Sequence, residues 1–137
     1  MTTRSAIKIK QILPSLYYQD PDAAIQWMVD VLGMEKWAIH REGGNIVHAE
    51  MKFGDVTVHL SPRRSEGPFA SGPTSEGPYV AMEGVDALYQ RATSKGAAIV
   101  QEISDKDWGR RDFALMDPEG RVWSFGTYLQ APAPHIE

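Results

Sequence analysis

The chain contains no cysteine, so disulfides, thiolate zinc sites and cysteine nucleophiles are excluded together. It also lacks any run approaching the ~20 apolar residues that a membrane-spanning helix requires. Positive charge is in deficit: 14 Lys and Arg stand against 18 Asp and Glu, a net charge of −4. Without a basic cluster such a chain is a poor polyanion binder, so nucleic acid is not an expected partner. Residues 1–10 are polar, carry Arg4, Lys8 and Lys10 and lead into no apolar stretch, which is not the pattern of a secretory leader. The expected setting is cytoplasmic, with no membrane partner. Familiar catalytic signatures are missing too: there is no G-x-S-x-G and no phosphate-cradling glycine loop, and no Ser-His-Asp set can be read off.

What is present is an ordinary globular composition, 42% hydrophobic and 23% charged over 137 residues, enough for one domain with a moderate core. Within it lies an internal repeat. Residues 11–19 read as a strand, Asp20-Pro21-Asp22 as a helix start with an aspartate cap and a first-turn proline, and residues 23–32 as the helix. Ile25, Met28, Val29 and Leu32 give that helix one apolar face, and Gly33 is placed to end it. The second half repeats the order: a strand at 78–83, a helix starting at Val85-Asp86 with its body at 87–95, and Gly96 to close it. Asp22 and Asp86 are 64 residues apart, and Gly33 and Gly96 are 63 apart. Each half ends in a strand pair. Residues 45–53 and 56–61 flank the tight turn Gly54-Asp55, and 112–116 and 121–126 flank Asp117-Pro118-Glu119-Gly120. Residues 63–77, rich in Gly, Pro and Ser, read as a connector. The Pro/Ala-rich tail from Ala131 reads as frayed.

The expected fold class is therefore α+β. Two βαβββ modules, at about 10–62 and 78–129, form a curved mixed sheet with helices on its outer face and a cavity on the other. Neither module can bury both faces of its sheet alone.

Three segments carry a family likeness. Residues 17–37, YYQDPDAAIQWMVDVLGMEKW, resemble the first strand-helix unit of the vicinal oxygen chelate fold. Residues 48–62, HAEMKFGDVTVHLSP, resemble the hairpin that follows it. Residues 108–128, WGRRDFALMDPEGRVWSFGTY, are similar to the branch holding bleomycin resistance proteins and glyoxalase-like proteins of unknown role. The resemblance, over about residues 10–129, implies paired modules, a homodimer and a cavity for a small molecule. In metal-dependent relatives four inward strand positions hold an ion, and these fall here on Leu13, His59, Tyr79 and Ser124. One imidazole among an alkyl chain and two neutral hydroxyls is too few donors for a divalent transition ion. The expected cofactor is therefore none, and the metal-borne lyase, isomerase and dioxygenase chemistries come into doubt.

An alternative set exists. Pairing Phe53 with Val56 across the turn puts Glu50 opposite His59 and His48 opposite Ser61, so period-2 alternation gathers His48, Glu50 and His59 on one face. These could hold a metal, although residues two apart on a strand are about 7 Å apart and converge poorly. Without a metal, His59 could act as a general base oriented by Glu50. The plainer reading is a Glu–His pair lining a pocket.

Further candidates are aromatic or cationic. Trp108 could stack on a planar ligand and Arg111 could meet a carboxylate or phosphate, against a plain loop with solvated arginines. Alternation sends Arg111 to the side of Phe113 and Leu115, and Arg110 away. Tyr17 and Tyr79 could line the cavity with Ser124. Trp123 and Phe125 have the opposite parity to Ser124 and read as core, while Trp27 and Trp37 read as core or dimer contact. His40 and His135 look incidental, and Asp105-Lys106-Asp107 a solvated turn. The sum is a metal-free, non-catalytic binder that sequesters a drug-like or aromatic compound, set against a glyoxalase-like lyase, isomerase or dioxygenase.

Overall fold

The computed structural model describes residues 6–129, so His135 and the tail from Ala131 lie outside the described residues. The first module runs β1 (Ser15–Tyr18), α1 (Pro21–Asp30), β2 (Glu35–Glu42), β3 (Asn45–Phe53) and β4 (Val56–Pro62). The second runs β5 (Tyr79–Met82), α2 (Val85–Ser94), β6 (Ala98–Asp105), β7 (Arg111–Met116) and β8 (Val122–Thr127). Each forms its own four-stranded sheet, ordered β1-β4-β3-β2 and β5-β8-β7-β6. The first strand of each module pairs parallel to the last, and the remaining pairs are antiparallel. The α+β repeat is as expected, but with two separately bonded sheets in place of one. No helix among the described residues is long and apolar enough to cross a membrane.

The helix boundaries follow from capping. Asp20 accepts the Ala23 N–H at 3.1 Å and Pro21 occupies the first helical position of α1, where its missing donor is no loss. The other end of α1 is capped across the modules. Arg91 of α2 donates to the Val29 and Asp30 carbonyls at 3.3 and 3.1 Å, adding to the Gly33 N–H that already reaches Val29 at 3.2 Å and capping Asp30. α2 begins differently, at Gly84 with φ +83° and no side-chain cap.

The outer strands β2 and β6 carry no clear boundary signal in the sequence. Both are mostly exposed edge strands interrupted by register shifts, so neither carries a clean period of two. β1 is shorter than the span 11–19 because its ladder starts only at Ser15. Just before it, the Pro14 carbonyl accepts the His59 N–H at 2.9 Å, and Pro78 accepts from Ser124 at 3.0 Å in the matching place.

The helix-covered faces of both sheets share one core of Tyr18, Met28, Met51 and Leu60 with Phe113, Leu115, Trp123 and Phe125. Aromatic rings join the modules: Trp27 lies 5.8 Å from Trp123 and Phe53 lies 6.3 Å from Phe125, centre to centre. These spacings suit tilted and edge-on contacts. Trp123 and Phe125 are core, as expected, and so is Trp27 in part. Trp37 is 61% exposed on β2 with Lys52 Nζ 3.9 Å above its ring, so it is not core within this chain.

A polar clasp closes the same junction. The buried Asp117 accepts from Tyr18 Oη at 2.6 Å, from Trp123 Nε1 at 3.2 Å, and from the Glu119 and Arg121 backbone N–H groups. Burial, and then the Asp117 charge, push the Tyr18 phenol far above its ordinary value, so it stays a donor. Glu119 accepts from the Gln19 and Asp20 N–H groups, each at 2.8 Å, at the entrance to α1. The turn 117–120 is thus a joint between modules as well as a hairpin end.

Candidate functional site

Alternation along three strands builds a polar patch on the face that α1 leaves open. In β1, Leu16 and Tyr18 are buried in the core, which turns Ser15 and Tyr17 the other way. In β4, Val58 and Leu60 face the core, leaving His59 and Ser61 on the open side. In β3, Ala49 and Met51 are buried, and His48 and Glu50 take the opposite face. The ladder pairs Phe53 with Val56 and Glu50 with His59, as the hairpin spacing requires.

Of these, Ser15, Tyr17, His48, His59 and Ser61 line a cavity of about 380 Å³ together with Val47, Arg64 and Phe69, within the size range of ligand pockets, whereas Glu50 lies outside its wall. Its remaining wall comes from the connector and not from the second module. Ser71 N–H donates to the Arg64 carbonyl at 3.0 Å and Ala70 to Gly67 at 3.1 Å, a compact loop that carries Arg64 and Phe69. Arg63 beside them is tied to Glu119 at 3.0 Å, whereas Arg64 has no ion pair among the described residues.

The imidazoles are held in a row. Ser15 Oγ lies 2.9 Å from His59 Nδ1, and His59 Nε2 lies 2.6 Å from His48 Nδ1. Both nitrogens of His59 are therefore engaged, and neither bonds Glu50, which acts on the ring only through its charge. Burial, then the neighbouring His48, hold His59 below the usual histidine value against the opposing pull of Glu50. His40 is not incidental to this row. It pairs with His48 across β2 and β3, with ring centres 5.4 Å apart.

The matching face of the second module is filled. Tyr79 crosses over Gly126, where a methyl group would meet its Oη at 1.9 Å, and donates to Asp112 Oδ2 at 3.2 Å. Burial, then Asp112, raise the Tyr79 phenol above its ordinary value. Lys106 closes on Asp112 at 3.1 Å, so this lysine is not part of a solvated turn. Ser124 stands opposite Tyr79 in the ladder.

Trp108 and Arg111 line neither this polar cavity nor the apolar one between the modules. Trp108 is 65% exposed in the turn before β7. Arg111 does share parity with Phe113 and Leu115, but that is the face under α2. Its guanidinium pairs with Asp86 at 3.0 Å and with Asp105 at 3.3 Å. The apolar cavity, about 270 Å³, is bounded by Pro14, Phe53 and Val58 from the first module and by Tyr79, Val80 and Met82 from the second. It offers few groups that could orient a ligand.

Leu13 precedes β1, and the residue that register sets beside His59 is Ser15, as it sets Tyr79 beside Ser124. With Leu13 or with Ser15 in the first of the four inward positions, the set holds one imidazole, and its other oxygens are neutral hydroxyls, weak donors for a divalent ion. His48, Glu50 and His59 are not arranged to share an ion in this structure. The two imidazole nitrogens face each other at 2.6 Å, against the roughly 3.3 Å that separates two ligands on a tetrahedral ion. Among the described residues no three His, Asp or Glu side chains converge as ligands.

Ser15, Ser61, Arg64 and Phe69 went unrecognised in the sequence. The two serines have the parity of Tyr17 and His59 and could have been found from it. Arg64 and Phe69 lie in an aperiodic loop that gives no signal of where it folds.

Comparison with known proteins adds the lineage. Residues 8–125 match the profile of the glyoxalase/bleomycin resistance protein/dioxygenase superfamily. An uncharacterised protein of Mycobacterium bovis is 31% identical over 130 residues, spanning 88% of this chain and 86% of that protein. A bleomycin resistance protein of Geobacillus stearothermophilus is 29% identical over 135 residues, spanning 88% of this chain and 98% of its own. Among solved structures, TioX from Micromonospora sp. ML1 superposes with a TM-score of 0.78 at 33% identity, covering 88% of this chain and 99% of TioX.

Proposed function

Since the chain belongs to the glyoxalase/bleomycin resistance protein/dioxygenase superfamily, we propose that it is a metal-independent protein that binds a small aromatic, drug-like compound in the cavity of its first module. The observation that carries this reading is the composition of the cavity wall. Hydroxyls, two imidazoles, one guanidinium and one phenyl ring share a space of about 380 Å³. Such a wall is made for orienting a small molecule by stacking and hydrogen bonds. Likeness to a bleomycin resistance protein supports binding as the activity. With Arg64 in the wall and no carboxylate among the lining residues, a ligand bearing an acidic group suits the site better than a cationic one.

The working form is a homodimer. Ile7, Ile9 and Ile12 in the lead-in to β1 and Val100 on the edge strand β6 are at least half exposed, apolar surface of the kind a second copy would cover. Light scattering should give twice the chain mass; a monomer at micromolar concentration would remove the dimer from the proposal.

Isothermal titration with a panel of aromatic acids and matched aromatic amines tests the binding. Micromolar affinity for at least one acid is expected. Phe69→Ala should weaken it about 10-fold, as loss of one aromatic contact would, and Arg64→Ala should erase the preference for acids. Absence of heat with every compound, or a Phe69→Ala protein that binds as tightly as the parent, would defeat the proposal.

A further inference from the structure

The row Ser15–His59–His48 has a consequence beyond binding. A hydroxyl hydrogen-bonded to an imidazole, whose other nitrogen is held by a third group, is the arrangement by which proteins turn a serine into a nucleophile. We propose that Ser15, His59 and His48 act as such a unit, and that small carboxylic esters entering the cavity acylate Ser15.

The geometry supports each part. With the proton of His59 on Nε2, that nitrogen donates to His48 Nδ1 across 2.6 Å, and Nδ1 is free to accept the Ser15 hydroxyl across 2.9 Å. Every donor in the row then points the same way. His59 is held neutral at pH 7 by burial and by His48, which is the state a general base needs. Ser15 stands exposed at the first residue of β1 and lines the cavity itself, so a reagent reaches it without any movement of the sheet. The three residues come from three adjacent strands, β1, β4 and β3, whose register fixes their spacing.

The reaction is balanced within the site. Ser15 Oγ adds to the ester carbonyl carbon while its proton passes to His59 Nδ1. The tetrahedral oxyanion then collapses, the carbon–oxygen bond to the leaving alcohol breaks, and that oxygen takes the proton from His59. Water attacks the acyl-serine, delivering one proton through His59 back to Ser15 Oγ, so ester and water give acid and alcohol. Tyr17 and Ser61 hydroxyls and the Arg64 guanidinium line the same cavity and supply donors for the oxyanion. Arg64 and Phe69 favour aryl esters with an acidic substituent. His48 is a positioning residue, acting through the ring of His59.

The proposal rests on the binding reading only for entry of the ester, and the two can fail separately. Full-length protein is incubated with an alkyl fluorophosphonate and, in parallel, with p-nitrophenyl acetate. One phosphonyl group per chain is expected on the peptide carrying Ser15, with release of p-nitrophenol faster than in buffer. Ser15→Ala should take no label while unfolding in urea at the parent midpoint, and the parent's own calorimetric affinity for aromatic acids reads binding separately. His59→Gln should slow both reactions about 100-fold, the lower range for loss of a general base. His48→Ala should slow them less and move the pH profile of labelling, and His48→Gln, which can still accept from Nε2, should restore the parent profile. Label confined to other residues, or a Ser15→Ala protein that releases p-nitrophenol at the parent rate, overturns the proposal even if binding is intact.

Discussion

The two modules carry the same frame and opposite faces. In each, a short first strand lies parallel to the last, a proline carbonyl precedes the ladder, and two residues pair at equivalent register: Ser15 with His59, Tyr79 with Ser124. In the first module those positions leave a cavity. In the second, Tyr79 lies over Gly126 and binds Asp112, with Lys106 closing on the same carboxylate. Duplicated backbone therefore does not duplicate a site. Which module keeps an open pocket depends on whether a large side chain has a small neighbour to lie across.

The largest effect is expected where the modules are joined, because the comparison holds only while both share a core. Asp117→Ala would leave the Tyr18 hydroxyl, the Trp123 N–H and two backbone N–H groups without their acceptor. Removing one member of such a buried polar cluster should cost roughly 3–5 kcal/mol. Urea unfolding would measure it, and a loss below about 1 kcal/mol would show that the clasp is not structural.

A smaller effect should follow from reopening the second face. Gly126→Ala places a methyl group where the Tyr79 hydroxyl now sits. Since Tyr79 is half exposed and can swing outward, the cost should be about 1 kcal/mol, that of one hydrogen bond. Freed of Asp112 and of its partial burial, the Tyr79 phenol should titrate lower than in the parent, nearer the ordinary tyrosine value. Spectrophotometric titration of the phenols would read this, and an unchanged curve would mean that Tyr79 is not held as described.

The smallest concerns the open face. Because the fold holds His59 below its ordinary value, it favours the neutral ring, and the folded state binds fewer protons than the unfolded chain. The contribution is complete above about pH 6.5 and declines as pH falls through the lowered folded value. With solvent close to the ring the effect should stay below about 1 kcal/mol. Comparing parent and His59→Gln from pH 7 to pH 5 should show the parent losing its relative advantage. A constant difference would mean that the ring titrates normally.

Much of the fold was legible because its signals are local. Asp20-Pro21 dictates a helix start, Gly54-Asp55 fixes the hairpin register, and alternation in residues 45–61 sorts His48, Glu50 and His59 onto one face. The edge strands carried no such signal, since neither of their faces is evenly buried. Arg111 shows the limit of parity. Alternation placed it correctly beside Phe113 and Leu115, but parity cannot say which face a helix covers, and that face lies under α2. The partner of His59 was a similar case: register put Glu50 opposite, yet the ring nitrogens reach Ser15 and His48.

By itself the sequence determined the repeat, the α1 cap and the hairpin register, because each depends on residue types a few positions apart. Only the tertiary structure decided which open face remains a cavity, that a connector loop brings Arg64 and Phe69 to its wall, and that Asp117 welds the modules together. Those outcomes depend on contacts between residues 33 to 99 positions apart, and packing in three dimensions selects among partners that spacing along the chain leaves equivalent.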